Sequence, residues 1–297
     1  MLSLRRCSAN SGISASEKKI PCVRRGLYDS LIGTLGRAER EGQLQVGTDR
    51  QEIEWQYDVA EGLEQVEQWL GTREDSGKLT DLGFVVFEGY SKELVDTYYD
   101  TEDWRLYHAG YALRTRRESS CGDCEATMKS LISESSAAGN LRKWREISEL
   151  LKSDRGDTLL TARGPVGVRL RALLGSHEAR RIFEVCTRRQ TFDLIPNRQV
   201  ADPEKKLVTV RAGEVALDRS EIRLGARAEP IRLTRVEIEV DASATAASRE
   251  LKDFVKEMER ALRLRPTTTS KYEAGLLAIG QSPSDIANLN AGTSKKR

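Results

Sequence analysis

Glu52-Ile53-Glu54-Trp55-Gln56 sets a charged or polar side chain at every second position of a segment that otherwise reads as a β-strand. Successive side chains on a strand point to opposite faces, so Glu52, Glu54 and Gln56 share one side. Four further stretches repeat the pattern: Leu113-Arg114-Thr115-Arg116, Glu125-Ala126-Thr127-Met128-Lys129, Cys186-Thr187-Arg188-Arg189-Gln190 and Val236-Glu237-Ile238-Glu239-Val240. A half-exposed antiparallel strand alternates in the same way, simply because one face meets water. The sorting of signs argues for more than that. Solubilising surfaces intersperse the two charges, whereas here the first and last stretches are purely acidic and the middle three carry the cations. If the polar faces converge, they offer oxygen ligands to a divalent metal and cations to phosphate. That combination points to polyphosphate chemistry.

Composition narrows the field. The chain has 297 residues, of which 32% are charged, yet its net charge is only +2. Global charge therefore favours neither a nucleic-acid binder nor an acidic-surface binder, and polyanion specificity has to come from local clustering. No window of about 18 apolar residues exists, so no transmembrane helix and no membrane partner are expected. Cys121-Gly122-Asp123-Cys124 is a lone CxxC with no second half of a zinc site. His108 and His177 are the only histidines, which removes Ser-His-Asp and Cys-His catalysis.

Residues 1–50 show little apolar periodicity and read as a disordered or targeting tail. The first 28 hold Arg5, Arg6, Lys18, Lys19, Arg24 and Arg25 against one acid, Glu17. Such composition suits an organellar transit peptide as well as a plain tail, so a cytoplasmic location is the expectation and an organellar one the alternative. Residues 278–297 read as a second disordered tail. Between them, apolar spacing predicts helices over 59–69, 141–151, 167–174 and 248–262. Strands are expected over 84–90, 93–99, 183–194, 207–211, 214–217 and 233–240. Many strands without regular βαβ alternation argue for an antiparallel α+β fold.

The chain has neither GxxxxGK[ST] nor GxGxxG, so any phosphate must be held by side chains. Arginine offers a fork matched to phosphate oxygens and lysine a compact charge. Arg114, Arg116, Lys129, Arg188 and Arg189 supply them, and Lys271 after the 248–262 helix could complete the set. Glu52, Glu54, Glu237 and Glu239 could neutralise these cations while holding Mg²⁺ or Mn²⁺ through oxygen. The opposite face carries Ile53, Trp55, Ile238 and Val240, suited to packing against helices.

These stretches resemble the CYTH domain, also called the triphosphate tunnel metalloenzyme family. Glu52-x-Glu54, Tyr99-Asp100-Thr101, Gly110-x-x-Leu113-Arg114-x-Arg116 and Thr127-x-Lys129 stand in that family's order. Val215-Ala216-Leu217-Asp218, Glu237-Ile238-Glu239 and Ser270-Lys271-Tyr272 continue it, so the likeness covers about residues 51–277. The resemblance implies an eight-stranded antiparallel β-barrel, a tunnel with a charged interior and flanking helices. It implies hydrolysis of a phosphoanhydride in inorganic triphosphate or in an organic one, such as thiamine triphosphate or a nucleoside triphosphate. Carried over, Glu52, Glu54, Glu237, Glu239 and Asp218 would be metal ligands. Glu54, Glu237, Glu239 and Lys129 would act in catalysis, and Arg114, Arg116, Lys129, Arg188, Arg189 and Lys271 would grip phosphates. The implied partner is a triphosphate-containing small molecule or inorganic polyphosphate, without sequence-specific nucleic acid, and the implied assembly a monomer or homodimer. Adenylate cyclase chemistry in the same tunnel is an alternative. The sequence departs from the family signature Glu-x-Glu-x-Lys at Gln56, which opens a third reading, a polyphosphate-binding module without turnover. A further departure is the arginine-rich 183–192 strand.

Overall fold

A computed structural model describes residues 48–60, 62–76, 81–119, 124–131, 141–151, 156–197, 211–225, 229–241, 248–267 and 269–283. The expectations for residues 1–47, 121–123, 207–210 and 284–297 lie outside the described residues. The strands are β1 (Thr48–Asp58), β2 (Phe84–Asp100), β3 (Tyr111–Glu118), β4 (Cys124–Ser130), β5 (Leu141–Leu151), β6 (Arg180–Pro196), β7 (Gly213–Arg223), β8 (Ile231–Val240) and β9 (Arg265–Pro266). The helices are α1 (Glu64–Ser76), α2 (Arg105–His108), α3 (Gly156–Thr161), α4 (Pro165–Leu174), α5 (Ser248–Leu262) and α6 (Lys271–Ala278).

The sheet runs β5-β4-β3-β2-β6-β7-β8-β1, and β5 also pairs with β1, which closes an eight-stranded antiparallel barrel. Closure removes every free edge. The short β9 adds to β1 from outside, pairing Tyr57 with Pro266 and Asp58 with Arg265.

Binary pattern decides which way each strand faces. Outward residues of β1, β2, β6, β7 and β8, among them Trp55, Tyr57, Phe84, Val86, Leu194, Val215, Leu217, Val236 and Ile238, pack with Leu63, Val66 and Leu70 of the α1 region. Leu251, Phe254, Val255 and Met258, the apolar face expected of the 248–262 helix, cover the same wall from α5. Around β3, β4 and β5, Leu113, Ala126, Met128 and Ile147 pack with Leu106 of α2, Leu159 of α3 and Val166, Leu170 and Leu174 of α4. The apolar core thus lies outside the barrel, between strands and helices, and leaves the lumen to polar groups. This inverts the usual small soluble barrel, whose interior is its core.

Three expectations are corrected. Residues 141–151 form a strand, not a helix. Leu141, Trp144, Ile147 and Leu151 imitate helical spacing because Trp144 faces the lumen while Ile147 faces the helices. Leu150 is exposed on the lumen's parity, beyond the walled section. The 59–69 helix begins only at Glu64, after Val59 extends the β1–β8 pairing by donating its backbone N–H to the Thr234 carbonyl at 3.0 Å. The strands expected at 84–90 and 93–99 are one strand, β2, with a register shift between Glu88 and Ser91.

One glycine governs how α6 reaches the barrel. A Cβ built on Gly275 would stand 2.3 Å from the Phe183 ring, so the helix rests on β6 only because that atom is missing. Gly275→Ala is expected to displace α6 and lower stability by about 2 kcal/mol, as overpacking commonly does. Chemical denaturation checks this. The same variant should weaken anything that depends on Lys271, the first residue of that helix.

Candidate active site

The lumen of the barrel holds a cavity of about 150 Å³, lined from all eight barrel strands and α6. β1 contributes Arg50, Glu52, Glu54 and Gln56; β8 contributes Glu237 and Glu239; β7 contributes Glu214. Across from them stand Arg114 and Arg116 of β3, Lys129 of β4, Arg189 of β6 and Lys271 of α6. The expected acids other than Asp218 and the expected cations other than Arg188 meet in this one space; Arg50 stands among the acids of β1, and Glu125 of β4 and Glu146 of β5 stand among the cations.

Register explains the acid wall. Glu54 lies directly opposite Glu239, and Glu239 directly opposite Glu214, so three carboxylates form a row across β1, β8 and β7. Like charges in direct cross-strand register destabilise a sheet. Burial, with Glu52, Glu54 and Glu214 nearby, pushes the Glu239 carboxyl up to about 7 despite Arg50. Burial also raises Glu54, helped by Glu52 and Glu237, against the pull of Lys129. For Glu52 and Glu237 burial acts in the same upward direction but is outweighed. Lys129 and Arg114 bring Glu52 down, and Lys271 and Arg189 bring Glu237 well down.

The cation wall is held by named partners. Lys129 Nζ binds Glu54 Oε1 at 3.0 Å and also Glu52, spanning the lumen from β4 to β1. Its ammonium lies 5.2 Å from the centre of the Trp144 ring, a cation–π contact. These charges raise the Lys129 ammonium above its usual range although burial pulls the other way. Arg116 forks onto Asp96 with Nε–Oδ1 and Nη2–Oδ2 both 2.7 Å, and Arg114 Nη1 lies 3.6 Å from Asp96 Oδ2. Arg189 forks onto Asp218, 2.7 and 2.6 Å, and its Nη2 also meets Glu237. Lys271 Nζ binds Glu237 Oε1 at 2.9 Å and Asp218 Oδ2.

Lys271 is the first residue of α6, where the positive end of the helix dipole repels a cation. Asp218 and Glu237 outweigh that repulsion. The helix itself starts from a capping box: Ser270 Oγ accepts from the Glu273 amide at 3.1 Å, and Glu273 Oε2 accepts from the Ser270 amide at 2.6 Å. Behind Lys271, Tyr98, Phe183 and Tyr272 stack with ring centres 4.9 to 6.0 Å apart and form an aromatic plug with Val185, Ile222 and Leu276.

Two expected residues are placed differently. Arg188 points out of the barrel, 72% exposed, beside Glu93; Arg189 is the inward member of that pair. Asp218 is fully buried behind Arg189 and Lys271, with both carboxylate oxygens taken by them. Missed in the sequence were Arg50, Asp96, Trp144, Glu146 and Glu214. Arg50 extends the Glu52–Glu54 alternation by one step, and Arg142-x-Trp144-x-Glu146 would have shown it on β5. Asp96 stands two residues before Tyr98 on the same inward face of β2.

A family model described as the CYTH domain matches residues 70–275. The chain belongs to the CYTH domain family. Its barrel is similar to that of HpAC1 from Hippeastrum, described as a proposed adenylyl cyclase that reveals a dominant triphosphatase activity, at 16% identity and a TM-score of 0.46, over 77% of this chain and 96% of that one. A Bacillus halodurans protein described as a proposed adenylate cyclase is similar at 20% identity and a TM-score of 0.41, over 75% and 96%. The Pct1 RNA triphosphatase of S. pombe is similar at 11% identity and a TM-score of 0.31, over 80% and 84%. No curated protein sequence matches this CYTH chain. Among its described residues no helix is long and apolar enough to cross a membrane.

The metal implied by the family can be tested against the side chains present. Among the described residues, no three acidic, histidine or cysteine groups converge closely enough to hold an ion in this arrangement. Lysine and arginine occupy Glu52, Glu54 and Glu237 instead. The chemistry of the donor set nonetheless fits a hard cation: all are carboxylate oxygens. The row Glu214–Glu239–Glu54 is a concentration of like charge that a divalent ion would relieve.

Proposed function

We propose that this CYTH chain hydrolyses the terminal phosphoanhydride of inorganic triphosphate or an organic triphosphate in the barrel lumen, with Mg²⁺ or Mn²⁺. One observation carries the reading: five cations, Arg114, Arg116, Lys129, Arg189 and Lys271, face a wall of carboxylates inside a single cavity. Removing that many charges from water is costly, and a linear polyanion is the ligand whose charge such a set complements. Glu52, Glu54, Glu237 and Glu239, with Glu214, would hold the metal, which when bound supplies charge neutralisation and an acidified water.

The cations would bind and straighten the phosphate chain. Ligand entry would draw Lys129 off Glu52 and Glu54, and Lys271 and Arg189 partly off Glu237, freeing those carboxylates as phosphate takes their place. Asp96 and Asp218, behind the guanidinium groups, would keep the forks aimed while this exchange occurs.

Purified protein incubated with Mg²⁺ or Mn²⁺ and inorganic triphosphate, ATP or thiamine triphosphate should release orthophosphate. Glu54→Ala and Glu237→Ala should each lower kcat/KM by about a hundredfold or more, the scale seen when charge-stabilising groups are removed from active sites. Unchanged activity in both variants would defeat the assignment. Cyclic nucleotide with pyrophosphate as the products from ATP would replace hydrolysis by cyclisation.

A further inference from the structure

The lumen contains one polar side chain whose orientation is dictated by its neighbour. Gln56 is 7% exposed, lines the cavity and stands opposite Glu237 across β1 and β8. Its Oε1 accepts from Arg142 Nη1 at 3.4 Å. Amide oxygen and nitrogen look alike in shape, but arginine has five donors and no acceptor. Only the oxygen can face Arg142, so the amide NH₂ is turned the other way. Among the described residues that NH₂ has no hydrogen-bond partner.

Arg142 in turn cannot easily swing aside. Its Nη2 donates to the Thr267 carbonyl at 2.6 Å, and the Thr267 amide donates to the Gln56 carbonyl at 3.0 Å. Thr267 follows β9, the strand that lies outside the barrel. The three residues close a loop in which the outer strand fixes Arg142, Arg142 fixes the Gln56 amide, and Gln56 fixes the outer strand. Arg142 does not line the cavity. It is a positioning residue.

We propose that Gln56 is a phosphate-binding residue that presents two N–H donors to the triphosphate, held in that orientation by Arg142 and Thr267. This rests on the triphosphate reading of the lumen and deepens it. Position 56 then contributes to the grip without carrying charge itself, and the cation of the pair stands behind it. The departure from Glu-x-Glu-x-Lys is in this view a redistribution of donor and charge over two strands rather than their loss.

Calorimetric titration with inorganic triphosphate, in the presence and absence of Mg²⁺, tests the proposal independently of turnover. Gln56→Ala is expected to weaken binding by ten- to a hundredfold, the loss of a hydrogen bond to a charged group. Arg142→Met should weaken it by about tenfold, since the amide is then free to turn over. Arg142→Lys, which keeps a donor for Gln56 and for Thr267, should retain affinity within about threefold. The decisive arm is rescue. Gln56→Lys in the Arg142→Met background should recover most of the lost affinity, whereas Gln56→Lys alone should bind no tighter than wild type. A purely structural role for Arg142 predicts lower thermal stability in both Met variants and no rescue. Wild-type affinity in Gln56→Ala or in Arg142→Met overturns the proposal. A wild-type protein that binds no triphosphate at all defeats the function proposed above, and this inference falls with it.

Discussion

Replacing Asp218 by alanine is expected to cost about 4 kcal/mol of folding stability, within the range found when one partner of a buried ion pair is removed. Asp218 is fully buried and holds both the Arg189 fork and the Lys271 ammonium. Without it, two buried cations would share the single carboxylate of Glu237. Asp218→Asn keeps one acceptor for the Arg189 fork and should lose about half as much. Urea denaturation of both variants checks the order. An Asp218 that served only as a metal ligand would behave differently: metal dependence would change and metal-free stability would stay near wild type. An Asp218→Ala protein within about 1 kcal/mol of wild type without metal would sink the positioning role.

This role was not legible from Val215-Ala216-Leu217-Asp218. An acid at an inward position of a strand can hold a metal or sit behind a cation, and periodicity is the same for both. What separates them is depth, which only the neighbouring Arg189 and α6 determine. Of the five alternating stretches, all but Cys186–Gln190 were legible because each sets charged or polar side chains at one parity against small or apolar residues at the other. Four of them needed no correction, since an alternation of that kind cannot be satisfied by a helix with one buried stripe.

The failures have the same physical origin. β5 carries a tryptophan on the polar side of the wall, and a large apolar residue at the wrong parity converts a period of two into an apparent period of three to four. In Arg188-Arg189 both parities are charged, so alternation says nothing about which points inward. The answer comes from β7, where Asp218 stands in register with Arg189 while Arg188 is opposed by Arg219. The closing of the barrel through β1 and β5 is a pairing between residues almost a hundred positions apart. No local pattern encodes it.

Asp96, which sequence reading overlooked, should give a clear pH signature. Its carboxyl is held down to about 2: burial alone would raise it, but Arg116 and Arg114 outweigh burial. A carboxyl depressed in the folded state stabilises the fold above its unfolded value, near 3.8. That contribution is lost as pH falls from about 4 toward 2, because the unfolded chain takes up the proton first. The depression corresponds to about 2 kcal/mol. Asp96→Asn removes the titration while preserving shape, so the stability gap between wild type and variant should be largest from pH 5 to 7. It should then narrow by about 2 kcal/mol as the solution is acidified toward pH 2. Other carboxylates titrate over the same interval, but they are common to both proteins and cancel in the difference. Denaturant melts of the pair at a series of pH values supply the measurement. A gap that stays constant with pH would mean that Arg116 and Arg114 do not depend on the Asp96 charge. The buried fork would then be a matter of shape rather than of charge.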